Sequence, residues 1–290
     1  METSSITILG GDMRQCYAAG YLHSIGWDVI CCHTPDFPYN NGIMRADSLT
    51  DALEHSRFIL APTPLTRDKN NLFQTETNYP PCPLNGIWES LSPNHRFATC
   101  NLPAEYRKIL ETSGCKILDF GKDSCFRNRN AALTAEGLLA EVIRCTPFAL
   151  SSANMLLLGY GCCGAAIGRI FRPLCGNIYL IEQDADKQED AGKQGLSPIC
   201  PDDFSRVLPD CQLVINTVPA AILDMAQLSQ MHSSCHIFDI ASAPFGFPAD
   251  TTEKCLMPYF RLPGIPGRFS PVTAGEIIGR TIERMAEHAL

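Results

Sequence analysis

Short unbroken apolar runs alternate along this chain with longer stretches of helical period. Ile6-Thr7-Ile8-Leu9 closes on Gly10-Gly11 and reads as a buried strand, and residues 13–24 read as the helix after it. Further strands are predicted at 28–32, 57–61, 96–99 and 116–120. Residues 62–93, polar and rich in Pro and Asn, are long for a compact loop and are expected to form a lid or an interface. Residues 134–146 have helical composition and stop before Pro147, which predicts a connecting helix. Strands are then predicted at 155–158, 178–182, 213–218, 237–241 and 259–262, with helices between them, notably at 220–231. In the last segment, 273–290, Ile278, Ile282 and Met285 share one helical face. Strands joined by crossover helices predict parallel sheets. The fold class is therefore α/β, with two Rossmann-like doubly wound domains and a C-terminal helix packing back. The expected boundaries are 1–130, a connecting helix at 131–148, a nucleotide-binding domain at 149–272, and the helix at 273–290. A ligand is expected at the carboxyl ends of the strands.

The run 155–158 enters Gly159-Tyr160-Gly161-Cys162-Cys163-Gly164, a G-x-G-x-x-G turn between a strand and a helix. That context gives the pattern its value as a dinucleotide fingerprint. Gly159 permits the tight turn, Gly161 lets a pyrophosphate approach the backbone, and Gly164 lets the helix pack on the strand. The helix start, with Cys162 and Cys163, directs free N–H groups at the phosphates. Glu182, followed by Gln183 and Asp184, ends the next strand, where a carboxylate accepts from the adenosine ribose and favours NAD. Equally, Glu182 is one acid in an acidic run. Asn216-Thr217-Val218-Pro219 and Ala241-Ser242 end later strands and are candidate cofactor contacts.

Composition narrows the partners. With 290 residues, 45% hydrophobic, the chain can bury a substantial core. A net charge of -8 and the lack of a basic run argue against nucleic acid. No signal peptide or membrane span is read, and fifteen cysteines without a C-x-x-C are expected to be reduced, mostly buried thiols of a cytoplasmic protein. No metal site is expected; His232, Cys235 and His236 lack a zinc spacing. In so acidic a chain, single arginines become candidates for holding an anion. Arg14, in Gly10-Gly11-Asp12-Met13-Arg14-Gln15, is a candidate for a substrate carboxylate or else for a salt bridge to Asp12; Arg268 is a second cation or a surface residue. Asn130 and Thr134 open the connecting helix, and Glu136 is a candidate proton acceptor or an acid favoured by the helix dipole. Asp239 is the other candidate acceptor.

Taken together, these stretches resemble the A subunit of dipicolinate synthase. The matching segments are 10–15, Thr-Ala-Glu-Gly at 134–137, Leu-Gly-Tyr-Gly-Cys-Cys-Gly at 158–164, Ile-Asn-Thr-Val-Pro at 215–219, Asp-Ile-Ala-Ser at 239–242 and Leu-Pro-Gly-Ile-Pro-Gly-Arg-Phe-Ser-Pro-Val-Thr-Ala-Gly at 262–275. The resemblance implies an architecture similar to the formate and glycerate dehydrogenases. It also implies oxidation of a dihydrodipicolinate-level product of the lysine pathway to dipicolinate, the endospore acid. A nicotinamide cofactor, usually NADP, would take the hydride, and a flavoprotein-like B subunit would be the partner. A homo-oligomer is also expected. A ring with two carboxylates calls for two cationic clamps, Arg14 and Arg268, with Arg127 and Arg129 in reserve. Two departures from the family pattern stand out. Gln183 and Asp184 replace an arginine–serine pair suited to a 2′-phosphate, and Ala243 and Val272 stand where basic residues are common.

Two other readings compete. A 2-hydroxy-acid-type dehydrogenase needs a histidine acid, yet no histidine lies between His236 and His288. A non-catalytic NAD(P)-binding sensor or scaffold is compatible with the missing cations and the many cysteines.

Overall fold

The computed structural model describes residues 4–37, 42–75, 79–242, 245–247 and 257–287. It divides into two units, Met1–Asn130 with Ser270–Leu290, and Ala131–Phe269.

In the first unit, apolar runs form β1 (Ser5–Leu9), β2 (Asp28–Cys32), β3 (Met44–Arg45), β4 (Phe58–Leu60), β5 (Arg96–Thr99) and β6 (Lys116–Asp119). All six are parallel, in the order β3-β2-β1-β4-β5-β6. Helices α1 (Met13–Ser24), α2 (Leu49–His55), α3 (Leu84–Ser90) and α4 (Ala104–Thr112) make the crossovers. The strands are enclosed because Ile6, Ile8, Leu9, Ile59, Leu60 and Phe97 are fully buried. Residues 62–93 are no lid: Leu65, Leu72, Cys82, Leu84 and Ile87 pack into the core of this unit, and α3 is part of the stretch. Residues 76–78 lie outside the described part.

Helix α5 (Ser124–Cys145) begins ten residues before the sequence pattern suggests. Asp123 caps it by accepting the Phe126 N–H at 2.7 Å. Its first turns are polar, with little apolar period to betray them.

The second unit repeats the design. Strands β7 (Asn154–Leu158), β8 (Asn177–Ile181), β9 (Ser197–Pro198), β10 (Leu213–Asn216), β11 (His236–Asp239) and β12 (Tyr259–Arg261) are parallel, in the order β12-β11-β10-β7-β8-β9. Helices α6 (Cys162–Phe171), α7 (Ala185–Lys193), α8 (Phe204–Val207), α9 (Met225–Leu228) and α10 (Ile265–Phe269) accompany them. The helix expected at 220–231 shrinks to α9, because Asp224 and Gln227 form a capping box that starts it late.

Both sheets have the doubly wound order, with a switch point between β1 and β4 and between β7 and β10. The final helix, α11 (Pro271–Glu287), belongs to the first unit and lies on α1. Gly275 and Gly279 allow the close approach, since a Cβ on either would come within 2.5 Å of Tyr17 or Tyr21. Tyr21 also donates to Glu283 at 2.6 Å.

Candidate functional site

At the switch point of the second unit the three glycines do three different things. Gly159 has φ +88°, and a Cβ there would lie 2.5 Å from Val218 Cγ2 and 2.7 Å from Thr217 Oγ1. A Cβ on Gly164 would drive into the carbonyl oxygen of Gly159. Gly161 is exposed, and a Cβ there would meet nothing within 4 Å. It is the N-cap of α6 and offers no side-chain cap, so the first-turn N–H groups at Cys162, Cys163 and Gly164 have no capping side chain. The geometry suits a pyrophosphate there: an uncapped helix N-terminus beside a glycine with open space around it. Burial first, then Cys162, pushes the Cys163 thiol up to about 11, so it stays neutral beside the turn.

The turn after β10 is less available to a ligand than its sequence suggests. Thr217 donates its hydroxyl to Leu158 O at 2.8 Å, so its proton is committed to β7. Asn216 is fully buried; it donates to Val218 O (3.0 Å) and Asp239 Oδ1 (2.9 Å) and accepts from Val218 N (3.1 Å). Asn216 therefore shapes the turn, and Val218 and Pro219 present its outer surface.

Asp239 is enclosed at 1% exposure. Its Oδ1 accepts from Asn216 Nδ2 and from Ala241 N (3.1 Å); its Oδ2 accepts from Gly246 N (3.1 Å) and Tyr259 Oη (2.9 Å). Four donors saturate the carboxylate and make it an organising centre for the sheet edge. Ser242 is exposed, and its carbonyl accepts from Phe245 N at 2.8 Å. Ala243 lies outside the described residues. Phe245 carries φ +72°, a conformation that costs an aromatic residue about 1–3 kcal/mol and persists where its surroundings impose it. Gly246 beside it admits no Cβ, which would overlap the Asn216 amide.

Arg261 completes this edge, and sequence reading missed it. Register places Leu158, Asn216, Asp239 and Arg261 in one row across β7, β10, β11 and β12, each the last residue of its strand. The row spans about 14 Å at ordinary strand spacing. Arg261 donates from Nη2 to Phe247 O (3.2 Å) and Tyr259 Oη (3.3 Å), and its guanidinium lies 4.2 Å from the Phe245 ring centroid. Its enclosed Nε has no acceptor, and among the described residues no carboxylate pairs with it. Burial, and the Asp239 carboxylate, push the Tyr259 phenol up to about 12 against the pull of Arg261, so it stays a donor.

The expected clamps are already paired. Arg14, only 5% exposed, meets Asp12 through Nε (2.9 Å) and Nη2 (2.8 Å), and Nη2 also donates to Thr63 O. Only its Nη1 takes no acceptor among the described residues. Asp12 in addition caps α1, with Gln15 closing the capping box. Arg268 donates to Glu141 Oε1 at 2.7 Å. That carboxylate is 3% exposed and also holds Arg144 at 2.9 Å. Burial disfavours its charge, yet Arg144 and Arg268 outweigh that and hold it below the usual carboxylate range. Arg268 thus answers a buried charge of the chain itself. Glu136 is exposed within α5, not at its start, so the dipole argument for it fails. Asn130 is half-buried and Thr134 buried on the same helix; Arg127, Arg129 and Val272 are exposed.

Glu182 stands beside the glycine turn. Its Oε2 accepts from Tyr160 N (2.8 Å), and its Oε1 from Gln183 N (2.8 Å) and Asp184 N (3.1 Å). Asp184 turns away to cap α7, and Gln183 is exposed.

Comparison with known proteins agrees with this architecture. Residues 5–120 match the family described as the N-terminal domain of the dipicolinate synthase A subunit. The A subunit of dipicolinate synthase from Bacillus subtilis (strain 168) is 30% identical over 156 residues. The matched part covers 54% of this chain and 52% of that relative, about half the relative's length. The crystal structure of the dipicolinate synthase A subunit from Bacillus halodurans superposes with a TM-score of 0.87 at 21% identity, covering 98% of both chains. The crystal structure of its counterpart from Bacillus subtilis gives 0.84 at 23% identity, covering 99% of this chain and 97% of that one. At these identities the structural likeness establishes the fold, and the family resemblance read from the sequence is borne out.

Proposed function

We propose that this chain is an NAD(P)-dependent oxidoreductase of the dipicolinate synthase type. It would convert a dihydrodipicolinate-level substrate to dipicolinate, in the cytoplasm of a spore-forming cell and in partnership with a B subunit. The observation that carries the reading is the glycine turn. Gly159 and Gly164 are closed by backbone and side-chain contacts while Gly161 is open above the N-terminus of α6. In this reading the N–H groups of Cys162, Cys163 and Gly164 hold the pyrophosphate. Val218, Pro219, Ala241 and Ser242 flank the second nucleotide. When bound, the nicotinamide supplies the hydride acceptor. The substrate loses a hydride and one proton, and its ring becomes aromatic. The chain's own task is then orientation and the removal of that proton.

Arg261, which has no ion pair among the described residues, is a cation at this strand edge that can orient a carboxylate. Arg14, in the first unit, keeps only its Nη1 for such a contact. Glu136, exposed and not enclosed by donors, is the better proton acceptor once Asp239 is saturated. The test is turnover: purified chain, with and without the B subunit, given dihydrodipicolinate and each nicotinamide nucleotide, with dipicolinate and reduced cofactor measured together. Equal amounts of both products are expected. Failure to bind either nucleotide would sink the oxidoreductase reading.

A further inference from the structure

The substitution at 183–184 leaves open which nicotinamide nucleotide fits, and the structure around Glu182 supplies the answer. A carboxylate offers about four lone-pair positions. Three of these are taken at Glu182, by the N–H groups of Tyr160, Gln183 and Asp184. The donors come from two different loops: Tyr160 from the glycine turn itself, the other two from the β8–α7 connection. The carboxylate is thereby fixed in place against the turn that would cradle the pyrophosphate, with one acceptor position over for a hydroxyl. It keeps its charge as well: burial disfavours ionisation, but the three N–H donors and then Lys187 outweigh it and lower its pKa.

A 2′-phosphate needs the opposite surroundings. It brings close to two negative charges and acceptors only, so it has nothing to give a carboxylate. The neighbouring cation, Lys187, is already shared between two carboxylates, those of Asp184 and Glu182. Gln183 is neutral, Asp184 is acidic, and Lys187 lies 3.5 Å from the Asp184 carboxylate. A ribose 2′-hydroxyl, by contrast, donates one hydrogen bond to the one remaining lone pair.

We infer that Glu182, locked between the glycine turn and the β8–α7 loop, selects NAD over NADP in this chain. The inference rests on the reading of the glycine turn as a dinucleotide site.

Isothermal titration of the full chain with NADH and with NADPH tests it directly, on wild type, Glu182→Gln and Gln183→Arg. Wild type is expected to bind NADH at least about tenfold more tightly than NADPH, the size of a single charged hydrogen bond gained or lost. In Glu182→Gln, NADH should weaken and NADPH should tighten, closing the gap. Gln183→Arg leaves Glu182 and its donors in place and adds a cation; it should tighten NADPH alone, and it keeps the test valid if Glu182→Gln does not fold. Equal or tighter NADPH binding by wild type overturns the inference while leaving the dinucleotide site intact. An unchanged NADH-to-NADPH ratio in folded Glu182→Gln overturns it too. Binding of neither nucleotide to wild type overturns the glycine-turn reading, and this inference with it.

Discussion

Adding one methyl group at Gly161 or at Gly164 should give opposite results, and the pair tests the site geometry more sharply than any loss-of-charge variant. At Gly164 the new methyl meets the backbone of Gly159, which cannot step aside without moving the end of β7. Overpacking of that kind costs about 1–3 kcal/mol. For a unit of this size that is a fall in Tm of about 3–10 °C. At Gly161 the methyl meets nothing within 4 Å, and the backbone, at φ −74° and ψ −166°, suits any residue. Reduced freedom of the unfolded chain favours alanine by about 0.4–1 kcal/mol. Alanine is the poorer N-cap by a similar amount, so the net change should lie within about 0.5 kcal/mol. The methyl does, however, stand where the pyrophosphate would meet the first turn of α6. Loss of even one hydrogen bond to a charged oxygen, about 1.5–3 kcal/mol, weakens dinucleotide binding at least about tenfold. Differential scanning calorimetry and isothermal titration on both variants read the two effects separately. Gly161→Ala binding the dinucleotide within twofold of wild type would refute the assignment of the phosphate position. An unshifted Tm in Gly164→Ala would refute the packing argument.

Other variants bear on the cations and on the buried network. Arg261→Gln should weaken binding of pyridine-2,6-dicarboxylate about tenfold or more, while Arg268→Gln leaves it unchanged, because Arg268 already serves Glu141; the reverse order in a titration would restore Arg268 as a clamp. Arg268→Gln should cost only about 1 kcal/mol at neutral pH, since Arg268 is half exposed and Arg144 remains. Its effect should shrink in acid, because protonation of Glu141 removes the charge that Arg268 meets. The folded pKa of Glu141 is depressed, so the unfolded chain binds the extra proton. The stabilisation is present above the unfolded carboxylate value of about 4.3 and is lost as pH falls through the folded value. Loss of Arg268 brings the folded value closer to the unfolded one, so the acid limb of Tm against pH should become shallower and meet that of wild type at low pH; an unchanged limb would mean that Arg144 alone sets it. Tyr259→Phe removes one of four donors from the enclosed Asp239 and should lower stability by about 1–3 kcal/mol, measured by urea unfolding.

Much of the architecture was legible because parallel strands buried on both faces advertise themselves as apolar runs. Met13–Ser24, Asp28–Cys32 and Arg96–Thr99 coincide with their predicted limits. Elements whose stability comes from elsewhere were not legible. The two-residue strands β3 and β9 are edge pairings that carry no apolar run, and α4 buries only Tyr106 and Leu110. The first turns of α5 rest on a cap from Asp123 rather than on periodicity. The stretch 62–93 misled for a related reason. Its polar composition hides a few apolar residues, Leu65, Leu72, Leu84 and Ile87, that are enough to anchor it in the core.

The site was harder to read because its chemistry depends on who is already paired with whom. The chain holds 31 acidic against 23 basic residues, so a cation placed near any surface has a good chance of meeting an acid. Arg14 has one two residues away, and Arg268 has one on a helix 127 positions earlier in sequence. The surroundings of Asp239 were hidden for the converse reason: four donors converge on it, and only one of them, Ala241, is a near neighbour in sequence. Arg261 offered a signal that could have been weighed. It ends an apolar strand in the row after Asp239, with no acidic residue at 257–265 to neutralise it. A charged residue closing an apolar strand, with no acidic residue near it in sequence, is a better pointer to ligand chemistry than a charged residue in a conspicuous motif. The motif explains why the chain turns there; a guanidinium that meets no carboxylate among the described residues leaves a charge for something else to meet.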